Sequence, residues 1–143
     1  MPPEGIYHVT TRGVAKTATF LAPEEYRLFL TLFAQAVERH DWRVHTFCLM
    51  PNHCHLVIET QLWRLSDGMH RLNGTYAQAF NRRHKRWGHL FGERFACWVV
   101  EDDDHLADTI EYVLQNPVRA GLVNRAEDWP WSGRRSSKPK NRA

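Results

Sequence analysis

The chain has 143 residues, 43% of them apolar and 24% charged, with a net charge of +3, the proportions of one ordinary globular domain with a single core. No apolar run approaches the roughly 20 residues of a membrane span, and the first residues lack the basic, apolar and small-residue regions of a signal peptide. Three cysteines without a CxxC pair point to reduced thiols in a cytoplasmic protein, and all three are expected to be buried.

Taken in order, Ile6 to Thr11 alternates and reads as a short strand, followed by a loop from Gly13 to Thr19. Pro23 suits the first turn of a helix, and Glu24 and Glu25 suit its positive end. Tyr26, Phe29, Leu30, Phe33 and Val37 keep the helical period to about His40. A second strand runs from Trp42 to Leu49, with Trp42, Val44, Thr46 and Cys48 expected on one face. Pro51 and Asn52 turn the chain, and His53 to Glu59 is a third strand pairing with the second. Leu62, Leu65, Met69, Leu72, Tyr76 and Phe80 mark a second helix ending near Arg83, and such a stripe is core packing. Gly88 and Gly92 lie in a basic loop before a fourth strand, Phe95 to Val100. Asp102 to Asp104 offers an N-cap for a third helix, which Pro117 ends near Gln115.

The order β-α-β-β-α-β-α, apart from its last helix, is the split ferredoxin-like arrangement of an α+β fold. Two helices cover one face of an antiparallel sheet, and the other face is expected to be free. Residues 1–132 form the domain, and 133–143 is read as a basic tail.

Charge is unevenly placed. Arg82 to Arg94 holds five basic residues and one acid, Glu101 to Glu111 holds six acids and no Lys or Arg, and Arg134 to Arg142 holds five more basic residues. Each run taken alone is an ordinary solvated face. The basic runs, however, are interleaved with Trp87, Phe91, Phe95 and Trp131. That mixture suits a nucleic-acid strand, whose bases stack on rings while cations track phosphates.

The stretch MPNHCHLVIE (50–59) places two histidines at the start of a strand. Alternation puts His53 and His55 on one face and Cys54, Leu56 and Ile58 on the other. The apolar side is the core side, so both imidazoles face the uncovered side, where two nitrogens can meet one divalent ion. An isolated HxH is more often a pair of surface histidines, and two ligands are too few for a closed structural metal site. On the third helix, Leu106, Ile110, Val113 and Leu114 share a face at about 100° per residue. Tyr112 lies nearly opposite, with Asn116 one turn on and Asp108 one turn before.

Together these motifs resemble the REP-associated tyrosine transposases of bacteria, within the IS200-like HUH single-tyrosine transposases. YHVTTRG (7–13), MPNHCHLVIE (50–59), YAQAFNRRHKRWGHLFGERF (76–95), IEYVLQNPVRAGLV (110–123) and WPWS (129–132) carry the resemblance. The residue between the histidines departs from the family's more plainly hydrophobic choice. Cys54 packs as a small apolar residue there.

The resemblance implies a metal-dependent single-stranded DNA endonuclease and strand transferase. His53 and His55 would hold Mg2+ or Mn2+, with Asn116 helping to complete the shell. Tyr112 would attack the scissile phosphate to form a 5′-phosphotyrosine, and the substrate would be a hairpin of repetitive extragenic palindromes. Arg12, Arg82, Arg83, Lys85, Arg86 and Arg94 are the candidates for DNA contact. No membrane and no small-molecule cofactor are expected, and the protein would act as a monomer or homodimer.

The alternative is a non-catalytic binder of single-stranded DNA or RNA hairpins on the same sheet. The sequence lacks the strand signature of RNA recognition modules, and it also lacks the second histidine motif of a His-pair phosphodiesterase.

Overall fold

Pro23 opens the first helix with Glu24 and Glu25 in its first turn, and Asp41 closes it in the left-handed region at φ 57°. The computed structural model describes residues 4–92 and 95–134. Its strands are β1 (Gly5–Arg12), β2 (Arg43–Met50), β3 (His53–Thr60), β4 (Ala96–Val100) and β5 (Ser132–Arg134). Its helices are α1 (Pro23–His40), α2 (Leu62–His84), α3 (Asp103–Leu114) and the single turn α4 (Asn116–Arg119). The strands form one antiparallel sheet in the order β4-β1-β3-β2-β5. The first four follow the expected ferredoxin-like order, and β5 adds an edge.

Helices α1 and α2 cover one face. Phe29, Leu65, Met69, Leu72 and Tyr76 close over Val9, Leu49, Cys54, Leu56 and Ile58 in one core. Burial of side chains this size is worth about 1.5–3 kcal/mol each. Gly68 lets α2 lie against Trp42, because a Cβ there would come within 2.3 Å of the indole. Leu62, at the start of α2, is exposed rather than part of the stripe.

The second face is not free. α3 lies across it, with Val113 packed on Cys48, Met50 and Val57, and with Leu106, Ile6 and Trp129 around them. The apolar stripe of α3 needs a cover, and the outward residues of β2 and β3 supply one. Asp102 caps this helix by accepting from the His105 backbone N–H at 2.8 Å.

The strict alternation expected along β2 fails as well. A register shift between Val44 and Thr46 inserts a bulge that swaps faces. Trp42 and Val44 therefore pack with Phe47 and Leu49 on the α1–α2 side. Cys48 and Met50 pack on the α3 side.

Gly133 and Arg134, expected to begin a tail, instead extend from Ser132 as a strand paired with β2. The WPWS segment secures them. Trp129 Nε1 donates to the Leu49 carbonyl at 2.9 Å, the Trp131 carbonyl accepts from Leu49 N–H at 2.9 Å, and the Trp131 ring stacks on Tyr26 at 4.7 Å. The rest of the expected tail, 135–143, lies outside the described residues. Cys48 and Cys54 are buried, whereas Cys97 is exposed because β4 is an edge strand. Among the described residues no helix is long and apolar enough to cross a membrane.

Candidate active site

Strand register brings the histidines to β1. His55 lies opposite Thr10 and His53 opposite Arg12, and directly opposite residues share a face. His8, two residues before Thr10, joins them. Its Nε2 lies 2.9 Å from His55 Nδ1, and the two rings stack at 5.1 Å. His53 Nδ1 donates to Asn52 Oδ1 at 2.8 Å, and the His53 and His55 rings meet edge to face at 5.1 Å. Each histidine of the pair thus has Nδ1 engaged. Neither Nε2 has a hydrogen-bond partner among the described residues.

His55 is 4% exposed. Burial, reinforced by the Arg12 and Arg119 guanidiniums and by the repulsion that protonated His53 or His8 would exert, pushes its pKa down to about 3. Burial and Arg12 push that of His53 down to about 4. His8 is also lowered, chiefly by burial. All three rings are therefore neutral near pH 7, with lone pairs available to an electrophile.

α3 delivers Tyr112 to the same place. Its ring centroid is 6.0 Å from that of His55, edge-on, and 6.3 Å from that of His8. The side chain is half exposed (51%) because it points away from the packed stripe. Pro117 ends α3 as expected, but the chain turns at once into α4, where Pro117 sits in the first turn. That turn brings Arg119 back over Tyr112. Its guanidinium lies 4.1 Å from the ring centroid, and Nη2 donates to the Tyr112 carbonyl at 2.8 Å.

His8, Thr10, Arg12, His55, Gly92, Ala96, Trp98 and Tyr112 line a half-open cavity of about 350 Å3. Asn116 opens α4, and no hydrogen bond joins its side chain to either histidine among the described residues.

The five candidate DNA-contact residues that the structure describes divide into three groups. Arg12 lines the cavity, and its carbonyl accepts from Gly92 N–H at 2.9 Å. With the Gly13–Phe91 bridge, this bond ties the basic loop to the end of β1. Arg82 and Lys85 are exposed at the end of α2. Arg83 and Arg86 have structural partners. Arg83 Nε pairs at 3.1 Å with Glu25, a carboxylate 2% exposed that also meets His84 and accepts from Leu21 N–H. Arg86 Nη1 donates to Asn81 Oδ1 at 2.6 Å. Arg94 lies outside the described residues.

Sequence reasoning missed His8, Arg119 and Trp98. The alternation of β1 carried a signal for His8, since Ile6, His8, Thr10 and Arg12 share a face. Arg119 had only the Asn-Pro-Val-Arg run, and its reach over Tyr112 depends on a helix continuing past a proline.

The family model for IS200-like transposases matches residues 4–116. A Haemophilus influenzae protein assigned as a REP-associated tyrosine transposase is 24% identical over 139 residues, covering 90% of this chain and 78% of that one. A REP-associated tyrosine transposase solved bound to a REP hairpin superposes with a TM-score of 0.70 at 16% identity, over 90% of this chain and 75% of that chain. A Deinococcus radiodurans structure assigned as a transposase superposes at 0.56 with 13% identity, over 81% and 92%. With a family match running from the first strand to Asn116, and with the fold of those transposases around its histidines and tyrosine, the chain belongs to the IS200-like transposase family.

Proposed function

We propose that this protein is an HUH-type tyrosine transposase, a metal-dependent single-stranded DNA endonuclease and strand transferase that uses Tyr112 as its nucleophile. One observation carries the reading. The single half-exposed tyrosine of α3 faces His55 at 6.0 Å across a cavity that Arg12 also lines. The similarity to a protein bound to a REP hairpin supports hairpin DNA as the substrate class.

His53 and His55 fit as two ligands of Mg2+ or Mn2+. Their Nδ1 atoms are held by Asn52 and His8, the arrangement that fixes ring orientation and tautomer in metal-binding histidines. No third His, Cys, Asp or Glu completes a cluster among the described residues, so Asn116, water and phosphate oxygens would fill the remaining positions. A bound ion would polarise the scissile phosphate.

The chain's own groups do the rest. Tyr112 Oη attacks phosphorus, the bond from phosphorus to the 3′ oxygen breaks, and a 5′-phosphotyrosine forms. The phenolic proton leaves to water, and the departing 3′ oxygen takes one up. In reverse, a 3′-hydroxyl attacks the phosphotyrosine, frees the phenol and joins the strand. Arg12 and Arg119 offset negative charge at the phosphate.

The test is a labelled hairpin oligonucleotide with single-stranded flanks, incubated with Mg2+ and resolved on a denaturing gel. Wild type should give a covalent band that peptide mapping places on Tyr112. Tyr112→Phe, and separately His53→Ala with His55→Ala, should bind the hairpin and give no band. Cleavage by the Phe variant, or an adduct on Tyr7, Tyr26 or Tyr76, would overturn the assignment. Hairpin binding with no band from wild type would favour the non-catalytic alternative.

A further inference from the structure

A shallow, open cleft of about 480 Å3 lies beside the first, lined by His8, Trp98, Asp108, Thr109 and Tyr112. It shares three walls with the catalytic cavity. Trp98, Asp108 and Thr109 have no part in the chemistry above. Trp98 stands on β4 opposite His8, tilted against the imidazole at 5.5 Å, with 54% of its surface in solvent. An indole left half bare on an edge strand is a large exposed π-face adjacent to the tyrosine.

Asp108 is exposed and forms no ion pair or hydrogen bond among the described residues. Helix-end roles account for its acidic neighbours. Asp102 is the N-cap, and Asp103 and Asp104 sit in the first turn of α3, where negative charge is favourable. Asp108 lies beyond that turn and has no such role. A carboxylate here repels a phosphodiester, and it is favourable only where a donor meets it. Thr109 cannot be that donor, because its hydroxyl is spent on the His105 carbonyl at 2.7 Å.

We infer that this cleft receives one nucleobase of the single strand next to the scissile phosphate, stacked on Trp98 with its amino edge towards Asp108. The inference rests on the proposed reaction at Tyr112 and adds a base preference to it. Stacking on an indole tolerates any base. The carboxylate does not, because it accepts from an exocyclic amine such as cytosine N4. Adenine offers the same kind of donor on its Watson–Crick edge, which is open in a single strand. Thymine presents carbonyl oxygens in place of the amine and is disfavoured.

The probes are fluorescein-labelled hexadeoxynucleotides of dC, dA or dT and a hexamer of abasic sites. Binding is followed by anisotropy in EDTA, so that no cleavage intervenes. Wild type should bind dC and dA more tightly than dT, and the abasic strand least. Trp98→Ala should weaken the base-bearing strands about 10-fold, within the range for one lost stack, and leave the abasic strand within twofold. Trp98→Phe should restore most of the loss. Asp108→Asn, whose amide can donate to thymine O4, should remove the advantage of dC and dA over dT.

An equal loss by Trp98→Ala on all four strands would overturn the stacking role. An unchanged ranking in Asp108→Asn would overturn the base preference. Failure of the reaction at Tyr112 has a different signature, the missing covalent band, and leaves this binding measurement intact.

Discussion

Arg119→Met removes the guanidinium that covers Tyr112 while keeping a long apolar stem. The geometry allows the effect to be sized. A cation 4.1 Å from a half-exposed ring contributes about 0.5–1 kcal/mol. The Nη2 hydrogen bond to the Tyr112 carbonyl at 2.8 Å adds about 0.5–1.5 kcal/mol to the order of the α3–α4 corner. In the proposed attack of Tyr112 on phosphorus, negative charge would gather on phosphate oxygens, and a nearby cation is worth more in that state than before it. Only the part realised in the transition state accelerates the reaction.

The two terms sum to about 1–2.5 kcal/mol, and with most of that sum realised in the transition state the loss is roughly 5- to 30-fold in rate. The assay is single-turnover adduct formation at saturating DNA and Mg2+, with hairpin affinity measured separately. Arg119→Lys should fall between, since an ammonium keeps the charge and loses the planar stack. Adduct formation by Arg119→Met within twofold of wild type, at full occupancy, would refute the reasoning and leave Arg119 a surface residue.

His8→Phe keeps the ring and deletes the partner of His55 Nδ1. Mn2+ affinity by calorimetry should fall about 10- to 100-fold, and unchanged affinity would remove His8 from the site. The metal-free protein should lose stability as pH falls. His55 stays neutral when folded, with a pKa of about 3, while the unfolded chain takes up its proton below 6.5. Between pH 7 and 5 this term destabilises by about 2 kcal/mol. Urea titrations should show the slope in wild type and a flatter one in His55→Gln. Arg83→Ala should destabilise by about 1–3 kcal/mol, because it strips a partner from buried Glu25. Lys85→Ala should instead leave stability unchanged and reduce the salt slope of DNA binding by about one, and the opposite pattern would reverse the two roles.

The sequence by itself determined β1 to β4, α1 to α3 and the pairing of the two histidines, but not α4 or β5. Helical period, Pro23, the aspartates before α3 and the alternation of β3 are local signals, and local backbone physics obeyed them. Tyr112 was also legible as a residue excluded from its helix's apolar stripe. Only the tertiary structure decided what surrounds these groups.

The bulge after Val44 reversed the faces of β2, and no short-range pattern marks where a strand gains a residue. α3 folded over the face expected to be open, because the apolar residues on both surfaces are worth more together than in water. That packing set His55 in a buried site, gave it His8 from a strand 47 residues away in sequence, and turned Arg119 back onto Tyr112. It also divided the basic run. Arg83, adjacent to Arg82 in sequence, was drawn to a buried carboxylate on α1 while Arg82 stayed in solvent. Charge and spacing are properties of the chain, but whether a cation meets DNA or a buried glutamate depends on which helices pack side by side.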